Sequence, residues 1–402
     1  MKRTLRLAGI LALRRDLVLL LVAIVLITTG EELWTRFLAK YMQTLGAGVL
    51  IIGLFDGLRT SLGAIYAYPG GIVADKWGYR HALIVFTLLS IAGYALVALI
   101  PHWIAVIGGM FLFLSWTCFS LPASFSLVGA RLTQDRHAMG IAVQSFVKRL
   151  PIIVGPLLGG LLIDRVGVER GVRIGFAISC VLASVALIAQ LQIGRETLSV
   201  SHSPQKFLVL AKQMSPSLRR LLLSDILIRF CERLPYAWTV IYAMDYVGVH
   251  ATGVGILTAI EVLTAMICTV PAAWFADKYG REPFIVATFV FFTLFPASLL
   301  FAQTFPLLVV AFFVRGLKEF GEPARKALII GSCPPQLRGR MIGSYYMIRD
   351  LIVAGGAIIG ALLWNVGPRV NFLAAFILGV SGTFYYVLTL RPRIPSIDQG
   401  FR

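Results

Sequence analysis

The sequence predicts an all-α membrane protein built from two six-helix halves, and three observations lead to this fold class. Of its 402 residues, 58% are hydrophobic and only 14% are charged, whereas soluble proteins carry about a quarter charged residues. Twelve apolar segments each reach the roughly 20 residues that a membrane-spanning helix requires. A short loop motif also occurs twice, around Asp75 and Asp277, which lie half the chain apart.

The predicted spans, numbered 1 to 12, occupy most of the chain. They cover 17–43, 49–74, 81–100, 103–130, 139–163, 171–192, 219–247, 252–276, 284–302, 306–332, 340–364 and 370–390. Residues 1–192 then form an N-terminal six-helix bundle, 193–218 a cytoplasmic linker, and 219–402 a C-terminal six-helix bundle. The basic N-terminal stretch is similar to a signal peptide. Because Glu31 and Glu32 stand where a cleavage site would lie, span 1 is expected to be retained.

Positive charges between the spans predict the orientation. With the N-terminus placed in the cytoplasm, most Lys and Arg residues outside the spans fall in cytoplasmic segments. The opposite loops hold only Arg165, Arg170, Arg173 and Arg369. Because cytoplasmic loops of membrane proteins are enriched in Lys and Arg, we expect an integral protein of a bacterial inner membrane or plasma membrane, with both termini cytoplasmic.

The formal charge of +18 does not indicate a nucleic-acid-binding protein, because no soluble domain carries the bases. The five cysteines lie in or at the ends of apolar segments and form no Cys-x-x-Cys pair, which is typical of buried small side chains. The sequence contains no metal site, nucleotide-binding loop or nucleophile motif. We therefore expect a protein that is not an enzyme and has no cofactor, no metal and no nucleic-acid partner.

The repeated loop lies between spans 2 and 3 and again between spans 8 and 9. Its two copies consist of Gly71, Asp75, Lys76, Gly78 and Arg80, and of Asp277, Lys278, Gly280 and Arg281. This Ala-Asp-Lys-aromatic-Gly turn resembles the signature loop of the major facilitator superfamily. The resemblance covers essentially the whole chain and implies two pseudo-symmetric six-helix bundles around a central cavity. It further implies that the loops gate the cytoplasmic side; the alternative is a basic loop that only sets topology.

In that family, helices 1, 4, 7 and 10 line the cavity, helices 2, 5, 8 and 11 flank it, and the other four face lipid. The charges follow this division, because spans 3, 6, 9 and 12 have none in mid-span and a charge facing lipid is costly. The candidate substrate and coupling residues are therefore charged or aromatic residues of the remaining spans: Glu31, Glu32, Trp34, Arg36, Asp56, Arg59, Lys148, Arg149, Arg229, Glu232, Arg233, Tyr236, Glu261, Arg315, Lys318, Glu319, Glu322, Arg349 and Asp350.

Span 10 concentrates charge on one helical face. Arg315–Glu319 and Lys318–Glu322 are four residues apart, so both are predicted ion pairs. This face either contacts substrate or coupling ion or forms a structural ion ladder.

Most other acids of the spans also have a base three or four residues away, as in Glu32–Arg36, Asp56–Arg59 and Arg229–Glu232. Such pairing keeps an acid ionised and makes it a poor proton carrier. Glu31 lacks a base at this spacing, so it is the first candidate carrier.

Glu261 has no base within helical reach on its own span, and an isolated charge must find a partner. Lys148 or Arg149 of span 5 is the predicted partner, and the equivalent pair on the other flank joins Arg59 to Asp350. We expect these pairs to bias the alternating-access equilibrium; the alternative is a permanent bridge between the halves.

Span 5 contains Gly155-Pro156-Leu157-Leu158-Gly159-Gly160, which resembles the motif of drug/proton antiporters, although a proline replaces an earlier glycine. Span 4 lacks the arginine that many proton-coupled members carry.

The sequence thus predicts a monomeric secondary-active transporter that works by alternating access, with proton-coupled export of a small organic or amphipathic compound as the leading function. Uptake of an organic anion is the first alternative. A lipid flippase or a non-transporting sensor is the alternative from another class. The expected partners are the substrate, membrane lipid and the proton.

Overall fold

The apolar segments fold into helices in the computed structural model, which describes residues 15–131, 137–194, 214–333 and 338–390. For some helical residues the structure describes the backbone but not the side chain. These are residues 17, 67–77, 79, 118–131, 137–148, 338–340 and 390. The described residues contain no strand, which confirms the all-α prediction.

The helices are numbered α1 to α12 after the predicted spans, and the two pieces of an interrupted helix carry the letters a and b. Their bounds are α1a Arg15–Glu32, α1b Leu38–Thr44, α2 Val49–Trp77, α3 Tyr79–Leu99, α4 Trp103–Arg131, α5 His137–Val166, α6 Val168–Leu191, α7 Pro216–Ile241, α8 Ala251–Tyr279, α9 Glu282–Phe301, α10a Phe305–Leu317, α10b Glu322–Gly331, α11 Arg338–Val366 and α12 Pro368–Leu390. Among the described residues, 8 helical stretches are long and apolar enough to cross a membrane. The charge-rich α7 and the short pieces of α10 are outside that set.

Two predicted spans are not continuous helices. A 3₁₀ turn, Thr35–Phe37, separates α1a from α1b, and four residues separate the end of α10a at Leu317 from the start of α10b at Glu322. A third helix, α7, continues into a π-helical turn over Tyr242–Tyr246. The sequence predicted unbroken spans here. Polar backbone groups that leave a helix at membrane depth need protein or water as partners, so these interruptions mark positions that do not face lipid.

The repeated loops are as tight as the motif requires. Gly78 is the single residue between α2 and α3, with φ of 77°. Gly280, at the equivalent junction between α8 and α9, has φ of 94°. A side chain would strain the backbone in this left-handed region, which explains the glycine in both copies.

One of two compact units comprises residues 1–203 together with 240–262. The second range belongs here because the start of α8 packs against α5. A Cβ atom at Gly160 would lie 2.5 Å from the carbonyl oxygen of Ala251. The backbones therefore approach closely, and only glycine fits.

The same stretch of α5 packs against α1. A Cβ atom at Gly159 would lie 1.9 Å from the carbonyl oxygen of Leu33, and one at Gly155 would lie 2.4 Å from the Cβ of Glu32. The Gly-Pro-x-x-Gly-Gly stretch is thus a packing surface for the interrupted part of α1.

The other compact unit comprises residues 204–239 and 263–402. Its core is formed by large apolar side chains, among them Phe289. The Asn371 side-chain amide of α12 donates to the carbonyl oxygens of Leu234 at 3.1 Å and Gly360 at 2.7 Å. These hydrogen bonds tie α12 to α7 and α11.

The predicted linker falls mostly on residues 195–213, outside the described residues, so the division of the chain at 193–218 stays a prediction.

Candidate functional site

A ladder of charged side chains joins α7 to the two pieces of α10 in the second unit. The α7 side chains lie three or four residues apart, except for the adjacent pair Glu232 and Arg233, and so share one broad face: Asp225, Arg229, Glu232, Arg233 and Tyr236. Their partners follow in the opposite chain order: Arg325 binds Asp225 at 2.5 Å, Glu322 binds Arg229 at 2.8 Å, and Lys318 binds Glu232 at 2.6 Å. Each of these three rungs pairs an acid with a base.

Asp225 and Arg325 are the most enclosed members of the ladder, and the sequence analysis missed Asp225. Its side chain and that of Arg325 are each 1% exposed. The Tyr345 hydroxyl donates to its Oδ2 at 3.1 Å, and Arg349 approaches the same oxygen at 3.3 Å. Arg349 also binds the adjacent Asp350 at 2.8 Å. Asp225 could have been identified from the sequence, because it lies four residues, or about one helical turn, before Arg229 of the next rung.

The interruption of α10 changes the pairing predicted for span 10. Because the helix ends at Leu317, Lys318 and Glu322 are not joined by a continuous helix. Lys318 pairs with Glu232 of α7, and Glu322 pairs with Arg229 of α7 and with Arg325 of α10b. Glu319 lies within the interruption itself. The Arg229–Glu232 pair was predicted from spacing and is confirmed at 2.8 Å.

The fourth rung of the ladder is aromatic and basic. The Tyr236 ring has the Cζ of Arg233 at 4.9 Å and that of Arg315 at 5.7 Å from its centroid. Arg315 also lies 4.9 Å from the ring of Phe295, and Arg229 of the second rung lies 4.9 Å from the ring of Phe292, also on α9. Such distances allow cation–π attraction, so aromatic side chains surround the bases of this rung.

In the first unit, Glu31 lies at the end of α1a and is held by hydroxyl groups. Tyr94 donates to its Oε1 at 2.7 Å, and Thr117 donates at 3.0 Å. Among the described residues, no base lies within ion-pair distance of this carboxylate. The environment of Glu31 therefore differs from that of the acids in the ladder.

Trp34 is not exposed to a cavity in this conformation. Its indole is 1% exposed and stacks on Phe176 with ring centroids 4.1 Å apart. Its Nε1 donates to the Ser179 hydroxyl at 2.9 Å. The side chain anchors α1 to α6 in this conformation, and its place in the substrate site stays a prediction.

Glu261 has a described partner on α1, and its predicted pairing with Lys148 or Arg149 of α5 stays a prediction. Arg36, in the 3₁₀ turn, lies 3.8 Å from its carboxylate, a contact that helical spacing could not reveal. Among the predicted partners, the side chain of Lys148 lies outside the described residues, and Arg149 is partly buried.

Three further candidates of the first unit can be placed. The Cβ of Glu32 packs against Gly155, Asp56 is buried, and Arg59 is partly buried. The pairing of Arg59 with Asp350 stays a prediction.

Two polar contacts that the sequence analysis missed join α1 and α5 to residues 240–262. Lys40 of α1b forms an ion pair and hydrogen bond with Asp245. The carboxylate of Asp164, near the end of α5, accepts hydrogen bonds from the backbone N–H groups of Ala251 at 2.8 Å and Thr252 at 2.9 Å. A carboxylate is well placed there, because a helix N-terminus carries unpaired N–H groups and partial positive charge.

In the first gate loop, the structure does not describe the side chains of Asp75 and Lys76 or the surroundings of Gly71. Arg80 is described, and its guanidinium donates to the carbonyl oxygen of Leu191 at 2.5 Å.

In the second loop copy, Asp277, Lys278, Gly280 and Arg281 are all exposed. The Lys278 ammonium lies 5.3 Å from the centroids of the Trp274 and Tyr279 rings. The gating role of both loops stays a prediction.

Successive apolar helices, two of them interrupted at charged residues, define a polytopic membrane protein. The chain belongs to the Major Facilitator Superfamily, whose family profile matches residues 19–231 and 221–401. The fold predicted from the repeated loop is thereby confirmed.

Curated relatives of similar length carry multidrug-resistance names. Multidrug resistance protein MdtG of Serratia proteamaculans is 23% identical over 366 residues, covering 85% of this chain and 84% of the relative. MdtG of Enterobacter lignolyticus is 23% identical over 405 residues, covering 94% and 93%. Multidrug resistance protein MdtH of Aeromonas hydrophila is 31% identical over 137 residues, or 34% of each chain.

Solved structures of transporters share the fold. The nucleoside transporter NupG superposes with a TM-score of 0.79 at 15% identity, covering 94% of this chain and 100% of that chain. A POT family transporter gives 0.76 at 13% identity, with 93% and 95% coverage. The human organic anion transporter MFSD10 gives 0.66 at 16% identity, with 92% and 99% coverage.

Proposed function

We propose that the protein is a proton-coupled exporter of small organic, amphipathic compounds that works by alternating access. The observation that carries the proposal is the interruption of α1 and α10 at their charged residues, Glu31 to Arg36 and Lys318 to Glu322. Transporters commonly build their substrate and coupling-ion sites from discontinuous helices, because the freed backbone ends and side chains can bind polar groups.

Export rather than uptake is supported by two features. The relatives that match most of the chain are named multidrug resistance proteins, and the Gly-Pro-x-x-Gly-Gly stretch of α5 is similar to the motif of drug/proton antiporters. The residues proposed to take part in transport are the charged residues of α1 in the first unit and those of α7 and α10 in the second unit. The proposed location is a bacterial inner membrane or a plasma membrane with both termini cytoplasmic, and the proposed active form is a monomer.

Proton coupling is supported by the contrast between the two units. Glu232 and Glu322 each bind two bases of the ladder, and such pairing favours the charged form of an acid. Glu31 is held by two neutral hydroxyls instead. It is therefore our candidate for the acid that takes up and releases the coupling proton.

The test is flux in proteoliposomes with a panel of labelled amphipathic compounds, with and without a pH gradient. We expect at least one compound to accumulate against its concentration gradient only when the opposing proton gradient is present. Accumulation that ignores the pH gradient contradicts proton coupling. Movement in the same direction as the protons supports the alternative, uptake of an organic anion.

The flippase and sensor alternatives are tested with the same vesicles. A flippase moves labelled phospholipid between leaflets, and a sensor moves nothing. We expect neither result, because charged side chains of several helices occupy the ladder region.

A further inference from the structure

The junction between α5 and α6 repeats the residue pattern of the first gate loop. In both places a glycine is followed four residues later by an aspartate and three residues after that by a second glycine: Gly71, Asp75 and Gly78 in the gate loop, and Gly160, Asp164 and Gly167 here. The second glycine is in each case the single residue between two helices, with φ of 77° at Gly78 and 84° at Gly167. Because three helices, α3 to α5, separate the two junctions, they belong to opposite sides of a membrane.

The residues of α5 that face the start of α8 form a stripe. Pro156, Gly160 and Asp164 recur every four residues and therefore lie on one helical face. A Cβ atom at Gly255 would lie 2.6 Å from the carbonyl oxygen of Pro156, and one at Gly160 would lie 2.5 Å from that of Ala251. One turn further on, the two carboxylate oxygens of Asp164 accept the first two N–H groups of α8, at 2.8 and 2.9 Å. The glycines thus let the helices approach closely enough for the carboxylate to reach the N–H groups.

This contact is of a kind that can break and form again. The Asp164 side chain is exposed to solvent, and a carboxylate at an exposed helix N-terminus stabilises by only a modest amount because water and ions screen it. The buried pair of Asp225 and Arg325, with 1% exposure of each side chain, is the opposite case. Two conformations must be close in free energy for a protein to exchange between them, and the Asp164 contact meets that requirement.

We propose that Asp164 is a positioning residue of the transport cycle, whose contact with the N-terminus of α8 closes the side of the protein opposite the gate loops. This inference rests on the proposed function, because it assigns one step of alternating access to these residues. While the carboxylate holds the two N–H groups, the end of α5 stays against the start of α8. When it releases them, the helix ends separate and water reaches the stripe at Gly160 and Gly255.

The test measures water access to the stripe in the purified full-length protein in nanodiscs, where both faces contact the buffer. Ala259 is 8% exposed, lies one turn beyond Gly255 on α8, and is replaced with cysteine. Cys333 is kept as an internal control because it is buried in the second unit, and the other native cysteines are replaced with serine. The rates at which N-ethylmaleimide labels the two thiols are measured by mass spectrometry.

In this background, we expect Asp164→Asn to raise the labelling rate of the introduced cysteine about fivefold and to leave that of Cys333 unchanged. A fivefold change corresponds to about 1 kcal/mol, the typical effect of replacing a helix-capping residue. Asp164→Glu keeps a carboxylate and should label at nearly the wild-type rate. The matched control is Glu169→Gln, which removes another exposed acid, in the first turn of α6, and should change neither rate.

Three results overturn the proposal: an unchanged labelling rate of the introduced cysteine in Asp164→Asn, an equal rise at both thiols, or an equal rise in the Glu169→Gln control. An equal rise at both thiols would show that Asp164 only stabilises the fold. Labelling needs neither substrate nor a proton gradient, so its failure is distinct from failure of the proposed function. Faster labelling without proton-driven export would contradict the function and leave the role of Asp164 standing. Proton-driven export with unchanged labelling would do the reverse.

Discussion

At the scale of single residues, Asp225 organises the most deeply buried charges of the second unit. Its carboxylate receives the Arg325 guanidinium, the Tyr345 hydroxyl and one nitrogen of Arg349. Removing one partner of a buried ion pair is strongly destabilising, because the remaining charge stays desolvated. Asp225 therefore has a structural role at the enclosed end of the ladder, away from the partly exposed fourth rung.

Replacing Asp225 with alanine should lower the free energy of unfolding by about 3–5 kcal/mol, because Arg325 would remain buried without its carboxylate. Thermal unfolding of the detergent-purified protein measures the effect. Asp350→Ala is the matched control, since its carboxylate is 32% exposed and binds only the adjacent Arg349 among the described residues. An Asp225→Ala protein that unfolds at the wild-type temperature contradicts this role.

Pairs within one helix could be predicted from the sequence, and pairs between helices could not. The spacing of Arg229 and Glu232 fixes their proximity once a helix forms, and that pair is present at 2.8 Å. The contact of Arg36 with Glu261 depends on how α1 packs against α8. Likewise, the position of Trp34 in a predicted cavity-lining span gave no information about the direction of its side chain, which packs against α6.

At the scale of helices, the interruption of α10 is held by α9. The Gly321 N–H donates to the Thr288 hydroxyl at 2.5 Å, and a Cβ atom at Gly321 would lie 2.0 Å from the carbonyl oxygen of Phe284. Hydropathy and spacing predicted a helix over the whole of span 10. They could not predict the interruption, because it depends on a backbone contact with a neighbouring helix.

Close packing of α5 against α1 gives a second test at this scale. Gly159→Ala should destabilise the protein by about 1–3 kcal/mol, because its Cβ would lie 1.9 Å from the Leu33 carbonyl oxygen and α1 would have to shift. Gly355→Ala on α11 is the control, since nothing lies within 4 Å of that Cβ position and alanine favours a helix. Both effects are measured by thermal unfolding, and equal stability of the two variants would show that α1 and α5 are not in tight contact.

At the scale of the whole molecule, residues 240–262 determine how the chain is organised into units. They pack with the first unit and are joined to it by Lys40–Asp245, by Arg36–Glu261 and by the Asp164 carboxylate. The repeated loop predicted the two-bundle family fold from the sequence. These contacts could not be predicted, because they join residues far apart in the chain, and spacing along the sequence does not reveal how distant segments pack.

If these contacts open during the cycle, fixing one of them should stop transport. We expect a Lys40→Cys/Asp245→Cys protein, with its five native cysteines replaced by serine, to form a disulfide on oxidation. Flux should then fall to the level of empty liposomes and return when a reductant is added. Each single-cysteine variant is the control and should be insensitive to oxidation. Undiminished flux in the cross-linked protein would mean that this contact stays closed throughout the cycle.

The central claim, proton-coupled export by alternating access, is tested most directly by measuring substrate and proton movement in the same proteoliposomes. With no imposed pH gradient, an outward substrate gradient should drive protons inward, reported by a pH-sensitive dye in the lumen. In Glu31→Gln the dye signal should vanish while exchange of labelled for unlabelled substrate continues, because exchange needs no net proton transfer. Proton influx that accompanies substrate efflux in the wild-type protein and is absent in this variant is the predicted result. Substrate efflux without any proton movement in the wild-type protein would contradict the account.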